Sequence, residues 1–400
     1  MMASKIKYGL VVVIDFPFPV GIAATNRILS YLKSIVSAGI RCLVLISRPT
    51  ESDARIMNTH TSGTIEGIDY KFLSYSTVFP FGKSKMRKAF VYIYGLLLLI
   101  LELKASSPKS VITYSGDYYL RELILSLSKL YKFDLFIEET EYPKVLKREV
   151  SPQQKKKYLR QYCLAHGMIV MTQELFRYYK SLGVKDIFLL PMTVDHSRFN
   201  QKSIHKKGDS DYLIYIGGDG GLKRDGVLDI VRVFHLSKVY LNGVKLFIGG
   251  EFETSALLFR QITEYIDENS LTDYILFLGA QHPSNVPDLL MGSKGIIMLP
   301  QSDFPSGGFP TKLGEFLASG RPVICTAVSE IPLYLNGTNS YLVKPGDFEA
   351  AAGAIVDIIS NNEKASQIGL CGRELVFKEF NPGVFAEGLI DFLHLDQNQD

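Results

Sequence analysis

Two glycine-rich loops hold the residues of this 400-residue chain best suited to bind and polarise an anion. The more explicit one lies between Leu299 and Ile324, where a short apolar run ends at Pro300 and a loop rich in Ser, Gly and Pro follows. Pro310 stands where a helix would start, since proline fits a first turn whose amides lack partners. Thr311 to Ser319 has the pattern of that helix, Gly320 of its stop, and Pro322 to Cys325 of the next strand. The run Gly307-Gly308-Phe309-Pro310 thus feeds a helix N-terminus, where amides converge and the dipole favours negative charge. Lys312 puts a cation in the first turn, where a helix by itself favours an acid. A bound phosphate accounts for it; a solvated lysine is the alternative. Glu315 follows one turn later on the same face, placed to accept hydrogen bonds from sugar hydroxyls.

The other loop follows the strand Asp211 to Ile216 and reads Gly217-Gly218-Asp219-Gly220-Gly221-Leu222-Lys223-Arg224. Gly218 and its neighbours let the backbone approach a diphosphate closely, and Lys223 and Arg224 can neutralise it. Lys223 and Lys312 are expected to face the same phosphates. Glu139 and Glu141, beside Glu138 at one earlier strand end, are the candidate proton acceptors, and Asp117 or Tyr114 in Tyr114-Ser115-Gly116-Asp117, at another, is a candidate to face the donor. Crowded carboxylates raise one another's pKa, which suits a base for an acceptor hydroxyl. A helix cap by Asp117 and a solvated loop for the glutamates are the competing readings.

The elements that position these groups alternate. Tyr8 to Ile14 is a continuous apolar run, the mark of a parallel strand buried on both faces. A loop through Gly21, an amphipathic helix from Ala23 to Ala38 and a strand from Arg41 to Ser47 complete a βαβ opening, without the full dinucleotide fingerprint. Further strands are expected at Ser110 to Thr113, Leu135 to Ile137, Gly167 to Thr172 and Ile187 to Pro191. The basic, patternless segment from Gln201 to Ser210 reads as a linker, after which the same rhythm restarts. The fold class is therefore α/β, with two Rossmann-like, doubly wound domains and a binding cleft between them.

Length agrees with two domains. The net charge of +3 is too small to argue for nucleic acid. Cys42, Cys163, Cys325 and Cys371 have no paired spacing, which reads as buried thiols in a reducing, cytoplasmic compartment. Lys83, Lys85, Arg87 and Lys88 precede the apolar stretch Ala89 to Leu101, which at thirteen residues is too short to span a bilayer. A core helix and an interfacial helix with cations at anionic headgroups both fit.

The run Gly307 to Glu315, continued by Phe316-Leu317-Ala318-Ser319-Gly320-Arg321-Pro322-Val323-Ile324, resembles the signature of family-4-type retaining glycosyltransferases of the GT-B fold. One position departs: Gly307 stands where that family has its first Glu. Met192 to Phe199 resembles the segment that closes the family's first domain, and Gly21 with Arg27 its N-terminal loop. The resemblance implies two doubly wound domains facing a central cleft, an acceptor-side domain over 1–198 and a donor domain over 199–376. A terminal helix in 377–400 would cross back onto the first. It also implies transfer of a sugar from a nucleotide-sugar donor to a saccharide or lipid-linked saccharide acceptor, with retention of configuration, in polysaccharide or glycoconjugate biosynthesis. No cofactor and no metal are expected. Glu315 would inherit the ribose contact, and Gly218 occupies the place of a family Arg, so Lys223 or Arg224 would replace it. A non-catalytic GT-B subunit that binds a nucleotide sugar or a partner protein is the alternative. The chain is expected at the inner face of the membrane as a peripheral protein.

Overall fold

Runs of Val, Ile and Leu without alternation have nowhere to go but a sheet covered on both faces, and they form two such sheets here. A computed structural model of the chain describes residues 7–52, 56–79, 85–143, 151–199, 211–218, 221–254, 256–301 and 307–395. The chain divides into two units: unit 1 runs to Thr193 and resumes at Pro382, and unit 2 spans Val194–Asn381. These divisions lie a few residues from the boundaries expected at 198 and 376.

Unit 1 contains β1 Leu10–Ile14, α1 Ala23–Ser37, β2 Cys42–Ile46, β3 Ser62–Ile65, β4 Ile68–Phe72, α2 Lys85–Ser106 and β5 Ser110–Tyr114. It continues with α3 Tyr118–Tyr131, β6 Asp134–Glu139, α4 Pro152–Leu164, β7 Gly167–Val170, α5 Gln173–Ser181 and β8 Ile187–Leu189. Its sheet order is β3-β4-β2-β1-β5-β6-β7-β8, parallel except for β3 against β4. The direction of winding reverses between β1 and β5, which pair from Leu10 with Ser110 to Ile14 with Tyr114.

Unit 2 contains β9 Tyr212–Ile216, α6 Gly221–Arg224, α7 Val227–Leu236, β10 Lys245–Gly249, α8 Leu257–Glu268, β11 Ile275–Gly279, α9 Val286–Gly292 and β12 Gly295–Met298. Then come α10 Thr311–Ala318, β13 Val323–Thr326, α11 Ile331–Tyr334, β14 Tyr341–Val343, α12 Phe348–Ser360 and α13 Asn362–Glu379. The order β11-β10-β9-β12-β13-β14 is that of a doubly wound Rossmann sheet, with its switch point between β9 and β12. The last helix, α14 Pro382–Phe392, belongs to unit 1 and packs on α1, burying Leu389 and Ile390 in the core shared with β1.

One expectation needs correction. The apolar stretch Ala89 to Leu101 is the middle of a longer helix, α2, of 22 residues. The helix starts at Lys85, and Glu102 continues it, paired with Lys71 at 2.5 Å. By length and composition α2 could cross a membrane, although 28% of its most apolar window is buried inside the fold.

The core of unit 1 is tied by buried charge. Arg27 on α1 donates from Nε to Glu138 Oε1 at 2.6 Å and from its two terminal nitrogens to the carbonyls of Pro191 and Leu190 at 2.6 and 2.8 Å. Tyr31 donates to the other oxygen of Glu138 at 2.8 Å. The arginine is 2% exposed and Glu138 1%. Removing one partner strands the other charge out of water, so Arg27→Ala is expected to cost about 3–5 kcal/mol. The lost stability is to be read from urea melts followed by circular dichroism.

Candidate nucleotide-binding site

The switch point of unit 2 brings the two glycine-rich loops side by side, because the first follows β9 and the second follows β12, and these strands are neighbours. Between them lies a carboxylate, Asp225, 1% exposed. Tyr215, on β9, donates to Asp225 Oδ2 at 2.6 Å, and Lys312, in the first turn of α10, pairs with the same oxygen. Arg224 lies 3.5 Å from the other oxygen, Oδ1. Burial draws the Lys312 ammonium below the ordinary lysine value, and Asp225 opposes that shift. Burial, then the neighbouring Asp225, push the Tyr215 phenol well above its usual value, so it remains a donor. The glycines of the first loop are there for room: a Cβ on Gly217 or Gly221 would come within 1.9 or 2.4 Å of the Tyr215 hydroxyl.

Gly218 is exposed and has open space where a side chain would go, and its carbonyl accepts from the Gly221 amide at 3.0 Å. Lys223 and Arg224 lie exposed on α6. In the second loop Gly307 has a φ of 94°, the left-handed region in which a glutamate would be strained. The Gly308 carbonyl accepts from Ser329 Oγ at 2.9 Å. Phe309 is buried against Tyr334 and Phe380, with ring centroids 5.7 and 5.9 Å away, and Pro310 caps α10. Glu315 Oε1 is gripped by Arg198 at 2.5 Å, and Arg198 also donates to the Pro283 carbonyl at 3.0 Å. On the same edge a cavity of about 330 Å³ opens at the ends of β12, β13 and β14, lined by Leu299, Gln301, Thr326, Lys344 and Asp347 among others.

The residues expected in unit 1 are occupied otherwise. Asp117 caps α3, accepting from the amides of Tyr119 and Leu120 at 2.9 and 3.2 Å. Glu139 Oε1 accepts from Arg121 at 2.8 Å and from the Tyr162 hydroxyl at 2.7 Å. Gly21 is required by crowding, since a Cβ there would meet Thr25 Oγ1 at 2.5 Å and the Pro17 carbonyl at 2.6 Å. Among the described residues one group could hold a metal, Asp134 with His166 and His394. It lies at the amino ends of β6 and β7, the far edge from the carboxyl ends. Asp225, Tyr215 and Arg198 join the expected residues only in three dimensions. The signal for Asp225 was available: it is an acid directly after two cations at the end of a glycine loop.

Comparison with known proteins agrees with this fold. Over 96% of its length the chain superposes on a sucrose-phosphate synthase from Thermosynechococcus elongatus, covering 98% of it, with a TM-score of 0.74 and 15% identity. HepE of Anabaena, solved with UDP and glucose, aligns over 97% of this chain and 100% of its own, with a TM-score of 0.68 and 12% identity. The fold is that of GT-B glycosyltransferases. Residues 210–361 match the family described as glycosyl transferases group 1, and both glycine loops fall inside that span. A capsular polysaccharide biosynthesis glycosyltransferase, CapM of Staphylococcus aureus, is 29% identical over 207 residues. That match covers 49% of this chain and 49% of CapM, so the chain spans about half the length of this curated relative.

Lys312→Ala leaves Asp225 buried without its principal cation and is expected to lower the stability of unit 2 by about 3 kcal/mol. Adding Asp225→Asn removes the stranded charge and should restore most of the loss. Urea melts of the single and double variants check both statements.

Proposed function

We propose that the chain is a family-4-type glycosyltransferase that moves a sugar from a nucleotide-sugar donor to an acceptor hydroxyl, with retention of configuration. The pathway is polysaccharide or glycoconjugate biosynthesis, at the cytoplasmic side of a membrane. The observation that carries this reading is the convergence of both glycine loops, Lys312 and the exposed Lys223 and Arg224 at one switch point. Strand ends of this topology are where nucleotides bind, and the helix N-terminus with nearby cations suits a diphosphate. Arg198 holds Glu315 in place, and in this reading the carboxylate would accept from ribose hydroxyls. The cations and loop amides would stabilise charge developing on the departing diphosphate, the electrostatic help such a transfer needs. In unit 1, Glu139 and Asp117 serve an ion pair and a helix cap, which supports a route without a protein nucleophile. The donor would need no metal, because cations from the chain take that part.

One observation favours a second reading, a non-catalytic subunit that binds a nucleotide sugar or a partner protein. The left-handed backbone at Gly307 disfavours the glutamate of the related signature at that position.

Thermal shift against UDP- and GDP-sugars beside the free nucleotides tests donor binding, since a ligand of the folded state raises apparent stability. One nucleotide series should raise the midpoint, and Glu315→Ala should weaken that ligand about tenfold or more, equivalent to about 1.4 kcal/mol. Proton NMR of the product then reads the anomeric configuration. Silence across the panel with folded protein would overturn the donor reading. Binding without sugar transfer or nucleotide release would favour the non-catalytic subunit, and an inverted product would overturn retention.

A further inference from the structure

The helix α2 has two faces, and both are apolar. Its inner face, through Val91, Gly95, Leu99 and Leu103, is buried in the fold, with Leu99 and Leu103 in the core beside β1, β2 and β5. Its outer face carries Met86, Phe90, Ile93, Leu97 and Leu101, each more than half exposed, with Tyr94 stacked beside Phe90 at 6.4 Å. These positions are separated by three or four residues, so they form one continuous stripe roughly 22 Å long. Cations stand at its ends: Lys85, Arg87 and Lys88 around its first turn and Lys104 after it, all exposed. No acid lies on the stripe; Glu102 is on the inner side, paired with Lys71.

We infer that this face of α2 docks on an anionic lipid surface, with the helix lying in the plane of the bilayer rather than crossing it. Charge complementarity selects the occupant, because an apolar stripe with cations at its ends matches acyl chains below negatively charged headgroups. The inner face decides the orientation. A Cβ on Gly95 would lie 2.3 Å from the Ser47 carbonyl and 3.1 Å from that of Leu73, so the helix rests directly on backbone. Pulling α2 into a spanning position would strip that contact and the buried leucines from the core.

The docked face has a defined place in unit 1. Ser47 and Leu73 directly follow β2 and β4, so Gly95 is level with the carboxyl ends of the strands. The far end of the helix, at Ser106, accepts from the Tyr8 amide just before β1. The part from Lys85 to Tyr94 therefore runs on past the carboxyl edge, where Asp15 and Arg48 pair at 2.9 Å and Asp117 caps α3. A lipid-borne acceptor would then be presented at the ligand edge of unit 1. That last step rests on the glycosyltransferase reading; the docking itself does not.

The test is co-sedimentation of the full chain with vesicles of phosphatidylglycerol and phosphatidylcholine, against phosphatidylcholine alone. Wild type should pellet with the anionic vesicles, at least tenfold more weakly as salt rises to about 0.5 M, where surface charge is screened. The double variant Ile93→Asp/Leu97→Asp changes exposed positions only, keeps the wild-type melting temperature, and should lose at least tenfold in vesicle affinity. Reversing Lys85, Arg87 and Lys88 to Glu should remove the preference for anionic lipid. Failure of wild type to pellet, or unchanged binding by the double variant, would overturn the inference. So would light scattering showing a dimer that the double variant abolishes, which would assign the stripe to a second copy. Bound protein that resists both high salt and alkaline carbonate would overturn the in-plane orientation. Nucleotide-sugar binding measured on the same variants should stay at the wild-type level, which separates a failed docking surface from a failed donor site.

Discussion

A carboxylate taken out of water has to be met by donors, and in unit 2 that demand organises the candidate site. Asp225 has one oxygen shared by the Tyr215 hydroxyl and the Lys312 ammonium. Meeting it fixes the first turn of α10, which carries Lys312, against the end of β9, which carries Tyr215. It also dictates the glycines, because the Tyr215 hydroxyl occupies the space that side chains at 217 and 221 would fill. The loops are thus shaped from inside by one buried acid, and their outer surface exposes Gly218, Lys223 and Arg224.

Unit 1 meets the same demand differently. Glu138 is answered by Arg27 and Tyr31, and Glu139 by Arg121 and Tyr162. Burial, with Glu139 next in weight, holds the Tyr162 phenol well above its usual value, so that network keeps its proton. Acids that cluster at a strand end have become ties between helices and sheet.

The fold was legible because its signals are local and repeated. Apolar runs gave the strands around Val11, Val44 and Ile214, and Gly39, Gly183 and Gly320 marked helix ends. Helix α4 carries a local signal of the same kind: Ser151 and Gln154 form a reciprocal capping box around Pro152. The site was legible only in part. Glycines, Lys312 and Glu315 are visible as spacing, whereas Arg198 reaches Glu315 from more than a hundred residues away, which no local pattern reports. Arg27 resembled a ligand contact in sequence; only three dimensions show it spent on Glu138 and two carbonyls. The length of α2 escapes local pattern for a related reason, since charged residues at its ends look like boundaries until their partners are known.

The place of α14 bears on how the chain is made. Leu389, Ile390 and Leu393 lie in one core with Leu10, Val12 and Ile14, and the Leu393 carbonyl accepts from Ser110 at 2.5 Å. Strand β1 therefore waits for α14, with all of unit 2 synthesised in between. Contacts so distant in sequence are slow to form, and the uncovered face of the first sheet is open to wrong partners meanwhile. Unit 2 is continuous in the chain and can finish folding first. Unit 2 can therefore complete its sheet before unit 1 is closed, and a chain ending after Glu379 would keep every strand of unit 2 while leaving unit 1 without its cover.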